Sequence, residues 1–116
     1  MFNFENLNVY KKSLEFTQLI YLLTKTWPKE ELFALTNQIR RAAVSIALNI
    51  AEGTSRTKKD FRHFLDQSRG SCLEVVACLT IAKGLGYINE LDYRRCYTLA
   101  IEISKMLSSL KESIKI

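Results

Sequence analysis

One proline and four glycines are the only strong helix breakers in 116 residues, and their placement constrains the fold more than any other feature. They stand at Pro28, Gly53, Gly70, Gly84 and Gly86. A strand-rich fold needs frequent turns, so punctuation this sparse favours a few long helices. Within the intervals, apolar residues recur at steps of three and four, the spacing of one helix face.

Four helices follow from that spacing. The first is expected from Leu7 to Thr26, ended by Trp27-Pro28 because the residue before proline avoids the α region. It carries two apolar lines. Leu7, Tyr10, Leu14, Thr17 and Tyr21 form one; Val9, Phe16, Ile20 and Leu23 form the other, which is expected to meet a neighbouring subunit. Pro28-Lys-Glu-Glu31 reads as the first turn of the second helix, with proline tolerated there and acids near the positive end of the dipole. That helix is expected to run to Ala51, with Gly53 as its stop.

Thr57 is a candidate cap for the third helix, with Asp60 three residues on. The third helix has the cleanest periodicity, with Phe61, Phe64, Leu65, Ser68, Cys72, Val75, Val76, Leu79 and Ala82 on one face. Asn89 is expected to cap the fourth, whose inner residues are Cys96, Leu99, Ile103, Met106 and Leu110, with Ala100, Leu107 and Ile114 beside them. Short connections between four helices imply an all-α, antiparallel up-down-up-down four-helix bundle, a single domain over residues 1–116. A third helix of roughly 25 residues would span about 38 Å, so the bundle is expected to be elongated.

Composition sets the function classes. Hydrophobic residues at 47% and charged residues at 25% fit a soluble globular protein. No run reaches the length of a membrane span, and the N-terminus lacks the basic and apolar segments of a signal peptide. Cys72, Cys78 and Cys96 are odd in number and lack CxxC spacing, so neither a disulfide framework nor a zinc site is expected. They read as small core hydrophobes in a reducing cytoplasm.

Catalytic constellations are sparse. His63 is the one histidine and lies off the core face. Arg56 and His63, six residues apart, fit the outer limit of the Arg-x4–6-His element of helical HEPN ribonucleases. That short pattern matches many basic stretches, and the polar residue usual after the arginine is only Thr57. Glu52 and Glu74 are expected to pair with Arg40 or Arg41 as a half-buried ion pair rather than to act in acid–base chemistry. Gly84-Leu-Gly86 follows a helix rather than a strand, so it is no dinucleotide loop. No cofactor and no metal are expected, and the chain reads as a non-enzyme.

Interaction surfaces carry more weight. The net charge of +5 permits contact with RNA, DNA or an acidic protein and lies equally within the solubility range of a small domain. Arg56, Lys58, Lys59 and Arg62 form the leading candidate for phosphate contact, with Arg40 and Arg41 second. Asp66 is expected to neutralise part of this charge through Arg62 and Arg69. Phe61 and Phe64 belong to the core stripe, so base stacking is not expected and contact would be through phosphates.

The segment Leu35–Gly53 has an inner stripe of Leu35, Ile39, Ala42, Ala43, Ile46 and Ile50 and a rear stripe of Val44, Ala47, Leu48 and Ala51. A monomeric bundle needs only one stripe. With the second line of the first helix and with Gly70, Ala77 and Ile81 on the third, the rear stripe is expected to form a subunit contact.

The strings Val9–Phe16, Pro28-Lys-Glu-Glu31, Leu35–Ile46, Asn49-Ile-Ala-Glu-Gly53, Phe64-Leu65, Arg69-Gly-Ser71 and Leu85-Gly-Tyr-Ile88 resemble the four-helix-bundle proteins of the 23S ribosomal RNA intervening-sequence family. The resemblance covers almost the whole chain. It implies a bacterial intracellular bundle that assembles into a ring, typically a homopentamer. Related accessory proteins of diversity-generating retroelements form basic pentamers that bind a reverse transcriptase and nucleic acid. Arg40, Arg41, Asn49, Glu52 and Gly53 are the motif positions carried over. Members usually place a Pro-Ser or similar pair between Ile46 and Asn49, where this chain has Ala47-Leu48, so an unkinked second helix is expected. The expected partners are further copies of the chain, RNA or DNA, and a reverse transcriptase, with no membrane and no small-molecule substrate.

Overall fold

A computed structural model describes residues 1–116. It is all-helical: α1 (Asn8–Thr24), α2 (Leu35–Thr54), α3 (Lys58–Gly84) and α4 (Glu90–Ser113), with short 3-10 turns at Asn3–Asn6 and Lys29–Glu31. Chain neighbours pack side by side, α1 closes the ring against α4, and the diagonal pairs stay apart. The result is an up-down-up-down bundle of 45 × 24 × 22 Å. No helix is long and apolar enough to cross a membrane.

Local sequence explains most boundaries. Thr57 caps α3 by accepting the Asp60 N–H at 3.2 Å, and Asn89 caps α4 by accepting the Asp92 N–H at 2.8 Å. Gly86 alone has positive φ, +80°, where only a glycine turns without strain. The loops at that end are tied together: Trp27 packs against Tyr87 at 5.9 Å, and the Tyr87 hydroxyl donates to Glu31 Oε2 at 2.8 Å.

Two boundaries differ from expectation. Pro28 starts a separate 3-10 turn, and α2 begins only at Leu35. Gly53 does not stop α2, which runs unbroken to Thr54 without a proline to interrupt it. A Cβ at Gly53 would lie 2.7 Å from Phe61 Cδ1 and 2.9 Å from Phe64 Cβ. Glycine is present there because the first turn of α3 presses against the end of α2.

The core is one cluster of 21 buried residues drawn from all four helices. The inner stripes of α2, α3 and α4 lie where periodicity puts them, except that Phe64 stays half-buried outside the core, beneath the Arg56 guanidinium. On α1 the two lines are reversed. Val9, Phe16 and Ile20 are buried core, and Leu23 packs against it, whereas Leu14 and Tyr21 face solvent. The buried face runs Val9, Ser13, Phe16, Ile20 and Thr24, and its two hydroxyls are satisfied within the helix by the carbonyls of Tyr10 and Ile20, so nothing polar is buried unpaired. Val9, Phe16 and Ile20 are therefore lost as subunit-contact residues.

Candidate nucleic-acid and subunit-contact surfaces

The four leading cations stand around the α2–α3 connection, but side-chain geometry divides them. Arg56 Nη2 pairs with Glu52 Oε1 at 3.3 Å, and its guanidinium sits 5.6 Å from the Phe64 ring centre. Arg62 crosses to α4 and donates through Nη1 to the carbonyls of Lys111 (3.2 Å) and Ile114 (3.0 Å). It thereby gives the Ile114 carbonyl a donor that the helix lacks and adds a second donor to the Lys111 carbonyl, which already accepts the Ile114 N–H at 3.1 Å. Lys58 and Lys59, at the start of α3, are exposed and carry no ion pair. Asp66 pairs with neither Arg62 nor Arg69; it binds Lys111 Nζ at 2.8 Å, while Arg69 Nε donates to Ser104 Oγ at 3.0 Å.

The arginine pair of α2 also separates. Arg40 is half-buried, donates through Nε to Thr24 Oγ1 at 2.9 Å and covers the Tyr21 ring at 4.7 Å. It braces α2 against the end of α1. Arg41 points to solvent without a partner. The expected pairing of these arginines with Glu52 and Glu74 does not form: Glu52 holds Arg56, and Glu74 accepts from Gln38 Nε2.

Arg41 emerges from a broad face shared by α2 and α3. Across that seam Gln38 meets Glu74, Ser45 Oγ lies 2.9 Å from Ser71 Oγ, and Ser68 Oγ donates to the Ile46 carbonyl at 2.8 Å. Asn49 Nδ2 donates to the Ser45 carbonyl and hydroxyl, which fixes Ser45 towards α3. On the outer side of this seam Leu48 is 62% exposed and Ile81 53% exposed, with Gly70 and Ala77 between turns of α3. From the rear stripe, Ala47 is buried and Val44 and Ala51 are half-buried, so only Leu48 stands clear.

An apolar groove between α3 and α4 was not singled out in sequence. It holds about 290 Å³ and is walled by Leu73 and Val76 on one side and by Tyr97 and Ile101 on the other. Leu73 lies four residues before Ala77 and eight before Ile81, a spacing that continues the outer line of α3. Tyr97 and Ile101 each follow a core residue, Cys96 and Ala100, and the core stripe concealed them.

The remaining chemical groups are placed as follows. His63 is exposed, with Nε2 3.1 Å from Gln67 Nε2. Arg56 is engaged with Glu52 rather than with His63. The three thiols are free and buried; burial pushes Cys72 and Cys96 up to about 11 and raises Cys78. Cys72 Sγ donates to the Ala100 carbonyl at 3.4 Å. No cluster of three metal-ligating side chains is present.

The profile of the 23S rRNA-intervening sequence proteins matches residues 5–109. The chain belongs to this family. The crystal structure of an S23 ribosomal protein family member of unknown function from Bacteroides thetaiotaomicron superposes with a TM-score of 0.81 at 27% identity, covering 90% of this chain and 96% of that one. No curated protein matches. The family profile begins at Glu5 and ends at Ser109, so it takes in every surface described above except the last residues of α4.

Proposed function

We propose that this protein is a non-enzymatic homo-oligomeric bundle, a pentamer, that acts as a cytoplasmic scaffold and binds nucleic acid or a protein–nucleic-acid complex through its basic end. The observation that carries the reading is the α2–α3 face. Leu48 and Ile81 stand exposed there, and Gly70 occupies a mid-helix position where a Cβ would meet nothing within 4 Å. A mid-helix glycine weakens a helix by about 1 kcal/mol relative to alanine, and the monomer has no steric need for it. Close approach of another helix would supply that need. The buried, unpaired thiols fit a reducing compartment.

Lys58 and Lys59 are the free cations at that end, and Arg41 is a further free cation towards the other end of α2. Arg62 and Arg40 serve the fold, and Arg56 is partly neutralised. Phosphate contact through these side chains would weaken steeply with salt, because bound counterions are released on neutralisation.

Light scattering tests assembly. A mass near five times 13.4 kDa supports the reading and a mass of 13.4 kDa refutes it. Ile81→Asp should lower the mass while leaving the helical circular dichroism unchanged. Filter binding to a structured RNA tests the second part. Replacing Lys58 and Lys59 together by Ala should reduce the slope of log affinity against log salt by about 2, roughly one per lysine. No RNA binding even at low salt would remove the nucleic-acid role.

A further inference from the structure

The α3–α4 groove is unused by that reading, and it has the form of a docking site. Leu73 and Val76 are one turn apart on α3, and Tyr97 and Ile101 one turn apart on α4. The two ridges enclose a furrow floored by Cys72 and Ala100. Leu73 is 55% exposed, Ile101 44% and Tyr97 42%. A single exposed apolar residue needs no explanation, but contiguous ones from two helices mark a contact site.

The charge at the rim says what the site takes. Arg69 and Lys105 are the two charged residues lining the groove, and both are cations. Arg69 is held by Ser104, a neutral hydroxyl, so its charge is uncompensated, and Lys105 has no ion pair. The volume of about 290 Å³ falls at the bottom of the range for small-molecule pockets, and the lining offers few convergent polar groups to orient a small ligand. It suits side chains presented by a helix, the mode in which an amphipathic segment lays its apolar face in a groove.

We propose that this groove docks one acidic amphipathic helix of a partner protein, its apolar residues on Leu73, Val76, Tyr97 and Ile101 and its flanking carboxylates against Arg69 and Lys105. A second copy placed by a two-fold axis would set those cations against themselves, and a copy in a ring would have to present a different surface of the chain to the groove. Within the chain, the exposed Leu14, Tyr21 and Leu22 of α1 have Lys11 and Lys25 beside them and only Glu15 of opposite sign, a poor match for a cationic rim, and Leu32 and Phe33 beside Glu30 and Glu31 lie in the α1–α2 connection and not on a helix face. Nucleic acid fits worse, because Tyr97 is the one ring in the groove and the floor is aliphatic. The assignment does not depend on self-assembly or on RNA binding at the far end of α3.

The test uses the full chain and two labelled helical peptides that share leucines at i, i+3 and i+7. One carries glutamates on the flanking positions, and the other carries lysines there. Fluorescence anisotropy should show the Glu peptide binding at least tenfold more tightly than the Lys peptide. Leu73→Asp should weaken the Glu peptide at least tenfold, and Arg69→Glu with Lys105→Glu should reverse the preference. If Leu73→Asp unfolds the chain, Ile101→Ser at the opposite wall should give the same loss. Equal binding of both peptides, or binding indifferent to these substitutions, overturns the proposal. So does displacement of the Glu peptide by a short RNA that itself fails to bind the Leu73→Asp variant. Light scattering on the same variants separates the two readings: a drop in mass would make the groove a subunit contact and overturn the proposal. A wild type that is monomeric yet binds the Glu peptide would refute assembly and leave the docking site standing.

Discussion

Gly53→Ala and Gly70→Ala make the same chemical change, yet only the second should stabilise the chain. Each replaces glycine in a helix with the best helix former, a gain of up to about 1 kcal/mol from propensity and the smaller entropy of the unfolded chain. At Gly70 nothing opposes that gain, because the added methyl finds no atom within 4 Å. At Gly53 the methyl would sit 2.7 Å from Phe61 Cδ1 and 2.9 Å from Phe64 Cβ. Phe61 Cδ1 can swing away with its ring, but Phe64 Cβ is fixed to the backbone, so the start of α3 must shift. Overpacking of this kind costs about 1–3 kcal/mol. The two variants should therefore differ by about 1–3 kcal/mol, Gly70→Ala above wild type and Gly53→Ala level with it or below. Urea unfolding read by circular dichroism measures this as a change of midpoint at constant slope. It should be run at several protein concentrations, since assembly stabilises the folded state by mass action. Dilution matters most for Gly70→Ala, which should stabilise the isolated chain while weakening self-association. Equal stabilisation by both substitutions would refute the argument that helix contact, rather than helix termination, fixes Gly53.

Thr57→Ala removes the side-chain acceptor of the Asp60 N–H and should lower stability by about 1 kcal/mol in thermal unfolding. An unchanged midpoint would mean that water replaces the cap without loss. Arg62→Ala strips the end of α4 of two hydrogen bonds from a charged donor and should cost about 1–2 kcal/mol, discounted because the site is half-exposed. Hydrogen exchange should show faster exchange confined to the last turn of α4; an even effect along the chain would contradict a local role. Cys72 keeps its proton to about pH 11 in the folded chain, against an ordinary thiol value of 9.0, so its unfolded form ionises first. Its stabilising contribution is whole below pH 9 and is lost as the pH rises through about 11. Stability of the wild type should accordingly fall more between pH 9 and 11 than that of Cys72→Ser, and parallel curves would refute the shift.

The bundle was largely legible in the sequence because helix periodicity is local. The inner stripes of α2, α3 and α4 and the caps at Thr57 and Asn89 depend on residues within a few positions of each other. The face of α1 was not legible from spacing, since both its lines have helical period; which one is buried depends on what the other helices present. Gly53 misled for a related reason. Near a helix end a glycine reads as a stop, but here Phe61 and Phe64 from the next helix decide its role.

Charge was the least legible. Arg62 reaches residues 49 and 52 positions away, and Lys111 reaches Asp66 across 45, so no window on the chain could pair them. Sequence ranked Arg56, Lys58, Lys59 and Arg62 ahead of Arg40 and Arg41; packing instead turns Arg62 and Arg40 into braces and leaves Lys58, Lys59 and Arg41 free. Composition and period thus determined that this chain is four long helices around one core. Tertiary structure alone decided which side chains remain to meet something else, because long flexible cations and close helix contacts are settled by neighbours distant in sequence.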